Sequence, residues 1–201
     1  MELLRDGLPI AVNYFRRWNP TLRTLKEELK MGMYGNPLRV TVHYVKGLME
    51  NGSHFVDLLR WFFGEPISFK ALRVFTRSQD DSAVDFEMTW STGLVATFLH
   101  VPEPNYVFHE VDIFTDQTRV TISQRGQFLS MSYSVEEPHF KKFQILERNK
   151  PPVETEWRNC TLRAISELVT CIEFGGQPSC DLEDGIKTLE ICKQMLSSER
   201  V

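Results

Sequence analysis

The sequence lacks the glycine-rich loops by which proteins usually hold nucleotides. Its 11 glycines contain no G-x-G-x-x-G, and no Walker-type loop is present either. Both motifs use backbone N–H groups at the start of a helix to cradle phosphate groups. This chain therefore cannot hold a dinucleotide by the usual route.

Positive charge and long apolar runs are also scarce. The chain has 23 lysines and arginines against 27 acidic residues, which gives a net charge of −4. Nucleic-acid binding needs a basic surface, so we expect no nucleic-acid partner. No apolar run approaches the roughly 18 residues that a membrane span needs, and the start of the chain has no signal-peptide core. We therefore expect a cytoplasmic protein with no membrane partner.

Only four cysteines are present, all in the last quarter of the chain. They form no C-x-x-C pair and have no histidine at ligand spacing, so neither zinc nor any other metal is expected. A chain of 201 residues with 42% hydrophobic residues can bury a core without disulfides. We expect Cys160, Cys171, Cys180 and Cys192 to be buried thiols outside any disulfide.

The first quarter of the chain predicts a strand, a helix and a second strand. Residues 8–15 are a short β-rich run, and Asn19-Pro20 then supplies a capping residue and a proline for the first helical turn. The apolar residues of the helix keep helical spacing, whereas those of the next strand alternate with polar ones. These residues are Leu22, Leu25 and Leu29 in the helix and Leu38, Val40, Val42 and Tyr44 in the strand.

The remainder predicts a second helix, a run of strands from Ile67 to about Leu146, a loop over 148–156 and two closing helices. This order indicates an α+β fold: a large, mostly antiparallel open sheet with helices packed on one face. The stripes predicted to face the core are Leu162, Ile165, Leu168, Val169 and Ile172 in the first closing helix, and Leu182, Ile186, Leu189 and Leu196 in the second.

The other face of the sheet carries several aromatic residues in this interpretation. Tyr106, Phe108, Phe114 and Phe128 fall at positions that the helices do not cover. An apolar face of that size usually meets a partner subunit, which predicts a homodimer or a higher homo-oligomer. Scattered surface aromatics are the alternative.

Titratable residues cluster where the second helix begins. Asn51 is predicted to cap this helix, so His54 falls in the first turn, where unpaired N–H groups disfavour an imidazolium. Glu50 and Asp57 lie four residues before and three after it, and either could orient the ring and leave it poised near neutral pH. Gly52 would let the backbone approach a substrate closely. The alternative is a surface histidine at an ordinary helix start.

Several segments, taken together, resemble the C-terminal domain of the glucose-fructose oxidoreductase, inositol dehydrogenase and MocA-type (Gfo/Idh/MocA) family. They cover almost the whole chain in the order of the family. The segments are Val12-Asn-Tyr-Phe-Arg-Arg-Trp-Asn-Pro20, Gly32-Met-Tyr-Gly35, Asn51-Gly-Ser-His-Phe-Val-Asp-Leu-Leu-Arg-Trp-Phe-Phe-Gly-Glu65, Gly175-Gly-Gln-Pro178 and Asp184-Gly185.

The resemblance implies half of a two-domain enzyme. In the family an N-terminal Rossmann domain binds NAD or NADP, and a C-terminal domain, of the dihydrodipicolinate reductase and glyceraldehyde-3-phosphate dehydrogenase-like type, builds the substrate site and the oligomer interface. Residues 1–201 would form that single second domain, with Met1 a cloning start rather than a natural one. The lysine of the family's Glu-Lys-Pro motif has no counterpart, so the chain alone is expected to be inactive.

The resemblance also assigns roles to residues of the cluster. His54 matches the catalytic histidine of the D-x-G-x-H-x-x-D pattern, and Asp57 matches its last acid. Glu50 stands where aspartate is common, which keeps the charge on a longer arm. We expect His54 and Glu50 to be catalytic, and Asn51 and Asp57 to bind substrate together with Arg17 and Lys46.

Three basic residues complete the expected site. Arg16 and Arg17 match the Y-x-R-R motif, which lies close to the nicotinamide and the substrate in the family; a salt-bridged helix start is the alternative. Lys46 could meet an anionic substrate group or be merely solvated. Only four residues separate Val45 from Glu50, and this short connection leaves the site open. An open site suits a nucleotide-linked sugar and equally a small cyclic polyol.

The expected function is the catalytic half of an NAD(P)-dependent oxidoreductase that acts on a sugar, a polyol or a nucleotide sugar. A neutral imidazole at position 54 would take the hydroxyl proton of a secondary alcohol while a hydride leaves the same carbon. The alternative is a non-catalytic α+β module for dimerisation or ligand binding.

Overall fold

The fold is one large sheet with helices against one of its faces, as a computed structural model of residues 7–75, 82–102 and 105–198 describes it. The α-helices are α1 (Pro20–Lys30), α2 (Ser53–Phe63), α3 (Cys160–Phe174) and α4 (Leu182–Ser197). The strands are β1 (Pro37–Tyr44), β2 (Ser68–Phe75), β3 (Ala83–Thr89), β4 (Val95–His100), β5 (Glu110–Thr115), β6 (Thr118–Ser123), β7 (Phe128–Glu136), β8 (Gln144–Glu147) and β9 (Val153–Glu154). A 3₁₀ helix, Phe15–Trp18, precedes α1.

The start of α1 follows its sequence signal. The side-chain oxygen of Asn19 accepts hydrogen bonds from the backbone N–H groups of Thr21 and Leu22, at 3.0 and 3.3 Å, and Pro20 occupies the first helical position. The prediction of a strand over residues 8–15 is wrong. This segment runs against the helices instead, because the N–H of Val12 donates to the carbonyl of Cys180 at 3.0 Å.

The sheet topology confirms the predicted fold class. The strand order is β2-β3-β4-β1-β5-β6-β7-β8, with β9 beside β7. All pairs are antiparallel except β1 with β4, so the sheet is mostly antiparallel and open at both ends. The core lies between the sheet and α1, α2 and α4. Fully buried residues there include Leu22, Val42, Phe55, Leu58, Phe86, Phe98 and Ile113.

The uncovered face of the sheet is polar. The strand register places Thr97, Thr41, Asp112 and Thr121 side by side in one row across four strands. Hydrogen bonds knit this row, since Asp112 accepts from Arg119 at 2.8 Å and from Thr121 at 2.6 Å. The prediction of an apolar face is therefore wrong, and the alternative of scattered surface aromatics fits this face better. Phe114 and Phe128 lie on it, whereas Tyr106 and Phe108 precede β5.

Helix α3 also presents a different face from the one predicted. Its buried residues are the small Cys160, Ala164 and Cys171, because α3 packs closely against the 3₁₀ helix at Phe15–Trp18 and not against the sheet. The stripe expected in the core is exposed instead, to 65% at Leu162. In α4, Ile186 and Leu189 are likewise exposed, while Ile191, Cys192 and Met195 reach the core. The four cysteines are buried and form no disulfide within the described residues, as expected.

A buried ion pair ties the 3₁₀ helix to α2 and α4. The Arg17 guanidinium donates to both carboxylate oxygens of Asp57, at 2.7 and 3.0 Å, and to Asp184 at 2.7 Å. Only 6% of the Arg17 side chain and 1% of the Asp57 side chain are exposed. A fourth hydrogen bond, to the carbonyl of Ser179 at 3.0 Å, engages the segment before α4. This cluster fixes the position of the 3₁₀ helix relative to two other helices.

Removing the arginine from this cluster should strongly destabilise the fold. In Arg17→Ala, Asp57 becomes a buried carboxylate without its main partner, which typically costs about 3–5 kcal/mol in the free energy of unfolding. The matched control is Arg163→Ala, which breaks the exposed ion pair with Glu156 and should cost less than about 1 kcal/mol. Urea unfolding curves of the two variants measure the difference. Equal and small losses would show that the Arg17 cluster contributes little to stability.

Candidate active site

The helix that carries His54 begins earlier than the sequence indicates. A single π-helical turn, Leu48–Gly52, runs directly into α2. In this turn the N–H of Gly52 donates to the carbonyl of Gly47 at 3.3 Å. Asn51 is therefore inside the helix and not its cap, and His54 does not stand at the positive helix end, since the unpaired N–H groups belong to the turn from Leu48. Single π-turns of this kind often occur at functional sites.

Gly52 faces the core and not a substrate. A Cβ atom at this position would approach Cδ1 of Leu48 to 2.6 Å and the ring of Tyr44 to 3.1 Å. The expectation that Gly52 opens the backbone toward a substrate is therefore wrong. Its lack of a side chain lets the π-turn pack against β1.

The acids near His54 have other partners. Glu50 binds Lys46 across one helical turn, with Nζ and Oε1 2.6 Å apart, and about half of each side chain is exposed. Asp57 is bound by Arg17 in the buried cluster. The Nδ1 atom of His54 is buried and has no hydrogen-bond partner among the described residues. The predicted orientation of this ring by Glu50 or Asp57 is therefore wrong.

Aromatic packing orients the imidazole of His54 instead. The ring of Tyr14 meets it edge-on at a centroid distance of 5.2 Å, and the ring of Phe15 lies tilted against it at 5.5 Å. The residue is half-buried, and Nδ1 is its buried nitrogen without a partner among the described residues. The side chain is thus held by aromatic neighbours.

Burial and neighbouring charge keep His54 neutral. Burial, then the positive charge of Arg16, then His109, lower the pKa of His54 from 6.5 to about 3. A histidine poised near neutral pH was expected, and the structure places its pKa far below that. The imidazole is therefore in its proton-accepting form at pH 7.

Arg16 is the charged centre of this environment. Its guanidinium carbon lies 4.7 Å from the ring centroid of Phe15 and 4.3 Å from that of Phe55, and only 4% of the residue is exposed. Its Nη2 donates to the carbonyl of Arg125 at 2.9 Å, whereas its Nε is buried without a partner. No carboxylate among the described residues forms an ion pair with it. Burial, followed by the charge of Arg125, lowers the pKa of Arg16 to about 9.

His109 belongs to the same cluster, although its place in the sequence does not indicate this. Its ring packs on Phe55 at 5.3 Å, and its ring nitrogens are buried. Burial and the charges of Arg16 and Arg125 lower its pKa to about 4. His109 lies 55 positions after His54 and just before β5, so no local spacing connects the two.

The predicted site residues thus separate into three groups. His54 and Arg16 meet in one aromatic-lined cluster, and His109 joins them. Glu50, Asn51 and Lys46 lie beside it at the surface, where they are exposed or half-buried. Arg17 and Asp57 are so deeply buried that contact with a substrate is closed to them, and the alternative of a salt-bridged helix start holds for Arg17.

Other candidate sites offer less chemistry. A cavity of about 720 Å³ between α1 and α3 is lined by Trp18, Arg23 and Leu162 among others, and none of the predicted site residues borders it. Within the described residues, no group of three or more His, Cys, Asp or Glu side chains could hold a metal ion. In the same part of the chain, no helix is long and apolar enough to cross a bilayer.

Comparison with known proteins finds similarity in structure and not in sequence. No protein-family profile matches the chain, and no curated protein matches its sequence. Among solved structures, UDP-N-acetylglucosamine 3-dehydrogenase GnnA from Acidithiobacillus ferrooxidans superposes with a TM-score of 0.72 at 17% identity, over 96% of this chain and 62% of that one. A dehydrogenase from Chromobacterium violaceum gives 0.74 at 15% identity, over 97% and 62%.

A third similar structure is the WlbA dehydrogenase from Bordetella pertussis, solved in complex with NADH and UDP-GlcNAcA. It superposes with a TM-score of 0.67 at 16% identity, over 96% of this chain and 62% of that one. The present chain therefore spans less than two thirds of each of the three proteins. At these identities the likeness concerns the fold, and it confirms the resemblance in the sequence: the chain has the fold of the C-terminal domain of Gfo/Idh/MocA-type dehydrogenases.

Proposed function

We propose that this chain is the substrate-binding and catalytic half of an NAD(P)-dependent oxidoreductase that acts on a sugar, a polyol or a nucleotide sugar. One observation carries the proposal: His54 is held neutral between aromatic rings, beside a buried arginine that has no carboxylate partner within the described residues. A purely structural histidine would be expected to have both nitrogens satisfied or solvated.

The proposed role of His54 is proton transfer at Nε2. In the oxidation of a secondary alcohol, the hydroxyl proton passes to Nε2 as the bond between carbon and hydrogen breaks. Bound nicotinamide would supply the acceptor for the hydride. A base of such low pKa is weak, and a negative charge bound near Arg16 would strengthen it by offsetting the charge that disfavours the imidazolium.

Of the groups that would hold a nicotinamide dinucleotide, this chain supplies only residues near the nicotinamide end. The sequence contains no phosphate-binding loop, so a separate Rossmann domain would hold the dinucleotide. The two arginines expected near the cofactor, Arg16 and Arg17, are both buried, and we propose that Arg16 acts there through its charge and Arg17 by holding the 3₁₀ helix. Contact of the surface residues Lys46, Glu50 and Asn51 with the substrate is part of this proposal. On its own the chain would not turn over.

The substrate class rests on the similar structures. GnnA is described as a UDP-N-acetylglucosamine dehydrogenase, and WlbA was solved with UDP-GlcNAcA and NADH. Because these proteins share only the fold with the present chain, a sugar or nucleotide-sugar substrate is a proposal for it. Assembly through the sheet and a cytoplasmic location also remain predictions.

A non-catalytic binding or dimerisation module is the second candidate. The broad, uncovered sheet face favours it, because that face could meet a partner without any chemistry. The coding sequence upstream distinguishes the two functions. A strand, a G-x-G-x-x-G loop and a later Glu-Lys-Pro motif upstream support the enzyme, whereas a natural start at Met1, which lies outside the described residues, supports the module.

Replacement of His54 should abolish most of the activity in the full-length protein. Because a positioned general base contributes at least about 10²-fold, His54→Ala should lower kcat/KM by that factor while the fold persists. The matched control is His43→Ala on the open face of β1, which should retain activity. The readout is nicotinamide absorbance with a panel of sugars and nucleotide sugars. Activity of His54→Ala within twofold of the wild type would remove this residue from the mechanism.

The buried environment of His54 should also make the free energy of unfolding depend on pH. Its folded pKa of about 3 lies below the ordinary 6.5, so its stabilising contribution is complete above pH 6.5 and is lost as the pH falls toward 3. Relative to His54→Gln, the wild type should lose about 2 kcal/mol of unfolding free energy between pH 7 and pH 4.5. Urea unfolding at both pH values measures this. An NMR titration of the ring with a midpoint near 6.5 would contradict it.

A further inference from the structure

A second cavity adjoins the His54 cluster and is lined largely by polar and charged side chains. Its volume is about 620 Å³, which is within the range of small-molecule sites. His109 lines it and thereby connects it to the cluster, because the same ring influences the charge state of His54. Arg125, Arg148 and Trp157 also line the cavity.

Polar side chains complete the lining of this cavity. Ser123, Gln124 and Ser130 border it together with His109 and Trp157. Hydroxyl and amide groups of this kind can donate hydrogen bonds to a bound anion.

The charges of the cavity favour an anion. Two arginines, Arg125 and Arg148, line it against a single carboxylate, Glu110. Burial, followed by the charge of Asp112, raises the pKa of Glu110 above its ordinary value. Arg16, which has no carboxylate partner within the described residues, adds to the positive potential at His109.

The backbone that presents Arg125 is strained. Gln124 and Arg125 both have positive φ angles, 48° and 68°, which residues with a side chain rarely adopt. The turn is held in place by Arg16, which donates to the carbonyl of Arg125 at 2.9 Å, and by His109, whose carbonyl accepts from the N–H of Arg125 at 3.3 Å. Strained non-glycine residues concentrate at ligand sites, where the surrounding structure enforces them.

We infer that this cavity is a subsite for an anionic group of the substrate, a carboxylate or a phosphate, bound by Arg125 and Arg148 with hydrogen bonds from the hydroxyl and amide groups of the lining. The inference rests on the proposed function and narrows its substrate class to acidic sugars or phosphorylated sugars. Arginine forks match both anions in geometry, so the shared chemistry is a planar or tetrahedral oxyanion. The anion would also offset the charge of Arg16 and so favour proton uptake by His54.

Three sugars that differ only in the group at C6, which is neutral in the first and anionic in the other two, test this inference. Glucose, glucuronate and glucose 6-phosphate are titrated into the chain at constant ionic strength, and binding is followed by NMR at the indole N–H of Trp157 and the amides of Gln124 and Arg125. We expect saturable shifts with at least one of the two anionic sugars and none with glucose at the same concentrations. The anion that binds identifies the group as a carboxylate or a phosphate.

Matched variants locate the binding. Arg125→Gln and Arg148→Gln should each weaken the anionic sugar at least tenfold, whereas Arg39→Gln, on the open face of β1, should leave its affinity unchanged. Preserved dispersion of the amide spectrum establishes that each variant is folded. The inference is overturned if glucose shifts the same signals as the anions, if no sugar shifts them, or if all three variants weaken binding equally. If no anionic sugar binds the chain while His54→Ala loses turnover in the full-length protein, the subsite is refuted and the proposed function stands.

Discussion

Two adjacent arginines with opposite environments organise this protein. Arg17 is neutralised by Asp57 and Asp184 in a buried cluster that fixes the 3₁₀ helix against α2 and α4. Arg16, held by the same helix, packs on two aromatic faces, donates to a backbone carbonyl and acts on two histidines, and no carboxylate within the described residues forms an ion pair with it. The stability of the first ion cluster is thus what keeps the unpaired charge of the second arginine in place, since a buried cation without a carboxylate is unfavourable by itself.

The consequences of that charge extend in two directions. Toward α2, it helps to keep His54 neutral, so that the ring can accept a proton, while Tyr14 and Phe15 give the ring its orientation. Toward β5, it adds to the positive potential around His109 and the neighbouring cavity. An anionic group in that cavity would compensate the charge and raise the basicity of His54 together. Substrate binding and proton transfer would then be coupled through one guanidinium.

The sequence predicted the fold better than it predicted the site. Alternating apolar residues specify the strands, and Asn19-Pro20 specifies the start of α1, because both signals are local. The stripe on α3 was misassigned because the pattern shows that a face is apolar and does not show which neighbour covers it. The π-turn before His54 has no sequence signature, and the partners of Glu50 and Asp57 depend on Lys46 and on an arginine 40 positions away. His109 and Arg125 join the site only through tertiary contacts.

The central claim is that the unpaired charge of Arg16 acts on His54. The most direct test is the pKa of His54, measured by NMR titration of its ring in the wild type and in Arg16→Met, which keeps an apolar side chain of similar length against Phe15 and Phe55. With the cation removed and the burial retained, the pKa should rise measurably from its low value, though not fully to 6.5, because burial is the larger cause. An unchanged pKa in Arg16→Met would contradict the account.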